Sequence, residues 1–300
     1  MSHGLSHQPR SHGRAFALGL ALNGGFVLIE AWYGWQTQSL ALLADAGHNL
    51  SDVAGLVLAW AALAASQLRP DDRHTYGWQR SSILAGFANA ILLLVAMGSL
   101  GWEAIERLRT PALIDASTVM VVAGIGVVIN SLTAFLFLSG SKHDLNMRSA
   151  FLHMAADALV SVGVMLAGAL YLWQGWSWID PAVSLAITVL IIFGTWSLLR
   201  ETLHLLFDGV PAAIILMDVR KALLTLPGVV DLHDLHVWAL GTAENALTAH
   251  LVVNEHLTDH SNLLLAAEEL MHHKFEITHV TLQIESMEHA RICASDVCPV

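Results

Sequence analysis

Two segments of the chain place a histidine four residues before an aspartate. They are His48 and Asp52 in LLADAGHNLSD (42–52), and His153 and Asp157 in FLHMAADAL (151–159). On a helix, residues four apart share one face and sit about 6 Å apart along the axis. Each segment therefore offers an imidazole and a carboxylate side by side. Two such faces brought together give two nitrogens and two oxygens around a point, the donor set of a tetrahedral divalent ion of the zinc type. Asp45, one turn before His48, is expected to act as an acceptor that fixes the His48 ring rather than as a fifth ligand. Both segments lie inside long apolar runs. A charged group at membrane depth costs about 3 kcal/mol and tends to mark an ion or substrate pathway. A hydrogen-bonded helix contact would account for one such pair; the same spacing in two separate runs points to a metal site.

The elements that must position these ligands follow from composition. Of 300 residues, 55% are hydrophobic and 13% charged, with a mean hydropathy of +0.58, the profile of a polytopic membrane protein. Six apolar runs, near 15–36, 40–67, 81–107, 116–138, 148–173 and 179–207, are each long enough to cross a ~30 Å hydrocarbon core as a helix. The positive-inside rule gives one orientation. Arg10, Arg14, Arg69, Arg73, Arg80, Lys142, Arg148 and Arg200 collect on one side, against Arg107 and Arg109 on the other, so both termini are expected in the cytoplasm. Trp173, Trp176 and Trp178 suit an aromatic belt on the far face. Glu30, Asn23, Asn89 and Asn130 are polar groups within spans, expected to make interhelical hydrogen bonds. The formal charge of -11 argues against nucleic acid as a partner. Seventeen His beside fourteen Lys plus Arg raises the expectation of metal handling. Cys293 and Cys298 are the two cysteines, so a disulfide framework is not expected.

Residues 1–14 read as a polar cytoplasmic tail carrying His3, His7 and His12, followed by a transmembrane domain over 15–208. From 209 to 290 no spanning run occurs, and 291–300 reads as a C-terminal tail. Within 209–290 the pattern predicts helices over 212–226 and 263–274 and strands over 229–240, 246–253 and 279–285. That order, αββαβ, fits a ferredoxin-like α+β domain. Nine histidines lie here, including His233, His236, His250 and His279. His233 and His236 are an odd number of residues apart, so a regular strand points them to opposite faces. In the loop RPDDRHTYGWQR (69–80), Asp71, Asp72 and His74 are metal donors on an otherwise solvated connector.

The paired motifs in the second and fifth of six spans, followed by an αββαβ domain containing HDLHVWAL and HVTLQIE, resemble the cation diffusion facilitators. The likeness runs from about residue 14 to 285 and is nearest to bacterial zinc, cadmium and cobalt efflux members and to vesicular zinc transporters of animals. It implies a homodimer, a transport site at His48, Asp52, His153 and Asp157, and exchange of metal for protons between inward-open and outward-open states. It also implies a cytoplasmic metal site on His233, His250 and Glu285, with His279 adjacent to a further ligand position. Gln283 stands where some members have His, and Trp78 stands where members with a loop metal have His, leaving Asp71 and His74. Cys293 and Cys298 resemble a terminal cysteine pair of vesicular members, with wider spacing.

The resulting expectation is an integral protein of a bacterial inner membrane that exports Zn2+, with Cd2+ or Co2+ as further substrates, in exchange for protons. The donor chemistry gives an independent reason. Two carboxylates and two neutral imidazoles neutralise a dication, while the empty, anionic site attracts protons, so metal and protons compete for one place. The alternatives are an intramembrane metal-dependent hydrolase, or a metal channel or sensor. A hydrolase requires an open metal position and a general base, and the HExxH pattern does not occur.

Overall fold

The computed structural model describes residues 11–110, 112–138 and 145–290, with side chains described outside 11–20, 145–147 and 149–150. His3, His7, His12, Cys293 and Cys298 lie outside the described side chains. Six long helices open the chain: α1 (Ser11–Gln36), α2 (Leu40–Ser66), α3 (Ser81–Arg109), α4 (Ala116–Leu138), α5 (Leu145–Gln174) and α6 (Ile179–Leu206). Among the described residues, five of them, α2 to α6, are long and apolar enough to cross a membrane. Their polarity is inverted relative to a water-soluble bundle. Leu28, Trp32, Phe135, Leu159 and Phe193 face outward, whereas Glu30, Asp45, Asn130 and Asp157 are buried. That arrangement suits hydrocarbon outside and polar function inside.

The chain divides into two compact units, Met1–Val57 with Asn89–Ser197, and Leu58–Ala88 with Leu198–Val300. In the first, an apolar core draws Phe26, Leu42, Met97, Val122, Val164 and Ile187 from all six helices. Close approach needs small residues. A Cβ at Gly126 would stand 2.9 Å from the Phe26 ring and 3.1 Å from the Ser161 hydroxyl, and one at Gly168 would stand 2.8 Å from Met120. The start of α2 is tied to α6: Asp180 accepts from Leu40 N (2.9 Å) and Ser39 Oγ (2.5 Å), satisfying amides that a helix leaves free at its N-terminus.

The second unit contains the C-terminal ends of α2 and α6 and the N-terminal end of α3, then α7 (Leu216–Leu224), β1 (Val229–Ala239), β2 (Asn245–Val253), α8 (His260–Phe275) and β3 (Ile277–Ser286). The αββαβ order is as expected. Helix α7 starts four residues later than its apolar pattern, because the chain turns at Pro211 (Ile214 N to Pro211 O, 2.8 Å) and Ile215 is extended. The sheet order is β1-β2-β3, with β1 antiparallel and β3 parallel to β2; the parallel pair requires a crossover, which α8 supplies. Val219, Leu223, Leu263, Ala267 and Met271 of the helices pack on Leu232, Leu247, Leu251 and their neighbours. By strand alternation the other sheet face carries His250, Gln283 and Glu285.

Strand β1 has a bulge there. His233 pairs with His250 but His236 pairs with Thr248, so β1 spends one more residue than β2 over this step. Asp234 occupies the bulge at φ 52°, a left-handed conformation that Asp adopts more readily than most residues. The extra residue resets the alternation. His233 and His236 therefore share a face, contrary to the reading of a regular strand.

Candidate metal centres

The intramembrane ligands come from two helices running in opposite directions. On α2, His48 Nε2 lies 3.7 Å from Asp52 Oδ2; on α5, His153 Nε2 lies 3.7 Å from Asp157 Oδ2. The pairs then cross: His153 Nε2 to Asp52 Oδ2 is 3.1 Å, and His48 Nε2 to Asp157 Oδ1 is 3.8 Å. The imidazoles meet edge-on with ring centres 5.9 Å apart. A tetrahedron with metal–ligand bonds of ~2.1 Å has edges of about 3.4 Å. The four observed spacings bracket that edge; ligand atoms of His48, His153 and Asp157 lie within 4.8 Å of one another, and Asp52 approaches both imidazoles from the exposed side.

Exposure is graded across the site. The side chains of Asp52 and His153 are 36% and 42% exposed, those of His48 and Asp157 25% and 3%. The site is thus open toward the C-terminal end of α2 and the N-terminal end of α5, and closed on the opposite side. Asp45 lies on the closed side. Its oxygens accept from Ser161 Oγ (3.0 Å) and Asn49 Nδ2 (3.4 Å), so it does not hold the His48 ring as expected; His48 Nδ1 has no hydrogen-bond partner among the described residues.

A second cluster lies on the sheet face opposite α7 and α8. Glu285, 3% exposed, bridges His233 Nε2 (3.0 Å) and His250 Nδ1 (2.9 Å). These three ligand atoms can surround an ion. Gln283 Nε2 donates to Glu285 Oε1 at 2.6 Å, and His289 Nε2 stands 3.9 Å from the same oxygen. His279 is elsewhere: six residues from Glu285 along β3, about 20 Å at the strand rise, it places its ring 5.6 Å from Tyr76. The bulge brings in two residues instead. Asp234 Oδ1 lies 2.9 Å from His236 Nε2 and its Oδ2 lies 3.4 Å from His250 Nε2. The His236 hydrogen bond holds the Asp234 carboxyl below the usual carboxylate range.

In the loop before α3, Asp71 Oδ1 accepts from the amides of Arg73 (2.8 Å) and His74 (2.6 Å) and lies 3.2 Å from His74 Nδ1. His74 in turn stacks on Trp78 at 4.2 Å. The Asp71–His74 pair closes a turn, and both side chains are exposed.

A helical membrane unit with paired His and Asp side chains facing each other across two helices, joined to an α+β domain with its own His and carboxylate cluster, has the make-up of a membrane metal transporter rather than an enzyme. Family models agree. Residues 16–207 match the cation efflux transmembrane domain, and residues 211–287 match the cation efflux protein, cytoplasmic domain. The chain belongs to the cation efflux family. It is 37% identical over 286 residues to the metal cation efflux system protein CzcD of Cupriavidus metallidurans, covering 95% of this chain and 90% of that one. It is 34% identical over 290 residues to the cadmium, cobalt and zinc/H(+)-K(+) antiporter of Bacillus subtilis (95% and 93%). It is also 36% identical over 288 residues to the zinc transporter ZitB of Escherichia coli (95% and 91%).

Proposed function

We propose that this protein exports zinc from the cytoplasm in exchange for protons, by alternating exposure of the site formed by His48, Asp52, His153 and Asp157. The observation that carries this reading is the crossed contact of the two pairs, with all four spacings between 3.1 and 3.8 Å. Equal numbers of imidazole and carboxylate donors suit zinc, with cadmium and cobalt as further substrates, better than the harder manganese. The relatives named for zinc, cadmium and cobalt support the same class of ion.

Exchange follows from charge. The loaded site sums to zero, and the vacated site holds two carboxylates in a water-poor setting, which protons neutralise in the metal's place. With the orientation set by the arginine distribution, both termini are cytoplasmic and the exposed ligands Asp52 and His153 face the cytoplasmic side, the geometry of an inward-open carrier. We place the protein in a bacterial inner membrane as a homodimer. In the cytoplasmic domain, His233, His250 and Glu285 hold a resident zinc that stabilises whichever state keeps these ligands closest.

Proteoliposomes test this. An acidic trans compartment should drive saturable zinc movement away from the cytoplasmic face, with movement of protons in the opposite direction. Zinc flux indifferent to the pH gradient and to a protonophore would contradict exchange. Ohmic current without saturation would identify a channel.

A further inference from the structure

On the closed side of the metal site lies a second polar layer. Glu30 of α1 is 0% exposed and Asp45 of α2 is 1% exposed. One amide serves both: Asn49 Nδ2 lies 3.4 Å from Glu30 Oε2 and 3.4 Å from Asp45 Oδ1. Ser161 of α5 donates to the other Asp45 oxygen at 3.0 Å. The remaining Glu30 oxygen, Oε1, is buried without a hydrogen-bond partner among the described residues. An unpartnered carboxylate oxygen in a water-excluded site is costly, and two full negative charges sharing one amide add repulsion. A proton on the pair relieves both.

Among the described residues, no lysine or arginine acts on the pair. Helix α4 has no titratable residue. On α3 the titratable groups are Glu103, Glu106, Arg107 and Arg109 at its outer end, where Arg107 pairs with Glu103. On α6, Asp180 is engaged by Ser39 and Leu40, and Arg200, Glu201 and His204 lie in its last two turns. Tyr33 is the other titratable side chain described on α1. What faces the pair from α2 and α5 is the metal site itself, His48 and Asp52 with His153 and Asp157. His48 follows Asp45 by three residues, about 4.5 Å along the helix axis.

We propose that Glu30 and Asp45 form a proton-carrying carboxyl pair on the outward side of the transport site. The pair binds one proton when the site is free of metal. A dication arriving one turn away favours the doubly ionised pair and expels that proton. No bond other than O–H is made or broken: a carboxylic acid becomes a carboxylate and the proton leaves to water. This inference rests on the exchange reading above and assigns one of its protons to residues that do not touch the metal.

The test counts protons. Zinc is titrated into the full-length protein by calorimetry in buffers of different ionisation enthalpy, for wild type, Glu30→Gln and Asp45→Asn. Both substitutions keep the shape and hydrogen-bonding capacity of the side chain. The expected result is that each variant still binds zinc but releases about one proton fewer per ion. Infrared difference spectra of the wild type on adding zinc should show loss of a protonated-carboxyl band, which needs no variant to fold. An unchanged proton count in a folded variant, or no such band in the wild type, overturns the pair as a proton carrier. The two readings fail separately: wild-type zinc flux that ignores pH sinks the exchange itself, whereas pH-driven flux with an unaltered count in Glu30→Gln sinks only the pair.

Discussion

In the proposed transport site, Asp157 and Asp52 would supply the same charge to the ion from environments of very different exposure, 3% against 36% for the side chains. Their neutral amides should therefore not be equivalent. Replacing Asp157 by Asn leaves a loaded site with one uncompensated positive charge on its dry side. The cost of such a charge at membrane depth is about 3 kcal/mol, or about a hundredfold in zinc affinity at 1.4 kcal/mol per decade. At Asp52 water reaches the ion on the same side and screens the missing charge, so the loss should be about 1 kcal/mol, roughly fivefold. The assay is zinc binding to the full-length protein in nanodiscs, measured by competition with a chelator of known affinity, in a His233→Ala, His250→Ala background that removes the cytoplasmic cluster. Asp157→Asn should weaken binding at least tenfold more than Asp52→Asn. Equal losses, or a larger loss at Asp52, would refute the view that burial sets the weight of each carboxylate.

Three further outcomes are expected. His48→Asp replaces a nitrogen donor by oxygen and should shift the zinc-to-cadmium transport ratio away from zinc; an unchanged ratio in paired flux assays would deny this position a role in selectivity. Zinc should raise the melting temperature of the 209–300 fragment, which has its own apolar core, and His250→Ala should remove most of that rise; equal zinc-induced shifts in calorimetry would dismiss the cluster. Backbone amides of His74 and Arg73 hold the Asp71 carboxyl below its usual range. A depressed carboxyl contributes order that is full above the ordinary carboxylate pKa of about 4 and is lost as pH falls through the lower folded value. Protection of the Arg73 and His74 amides in hydrogen exchange should therefore fall only below pH ~4, and Asp71→Ala should abolish it at neutral pH.

The pairing of His48 with Asp52 and of His153 with Asp157 was legible because helical periodicity is regular: a four-residue step from His to Asp fixes a shared face whatever the rest of the fold does. The cytoplasmic cluster was less so. The parity argument that separated His236 from His233 fails because Asp234 takes a left-handed conformation and inserts a bulge. An Asp within HDLH is a weak signal of that, since Asp tolerates φ > 0 without requiring it. His279 matched the strand pattern but not the distance, for register along β3 sets which histidine stands opposite His250, and that position belongs to Gln283. Glu30 was expected to make an interhelical hydrogen bond, which it does through Asn49. That Asp45 would be its neighbour could not be read from either run, because the meeting of α1 with α2 depends on packing rather than on local pattern.

The claim at the centre of this account is that one ion sits among four side chains from two helices. Anomalous diffraction at the zinc edge, from crystals of the full chain grown with zinc, measures that directly. The account predicts a peak within about 2.0–2.2 Å of His48 Nε2, His153 Nε2 and one oxygen each of Asp52 and Asp157. A membrane unit without a peak between α2 and α5, or with the ion held at Glu30 and Asp45 instead, would contradict it.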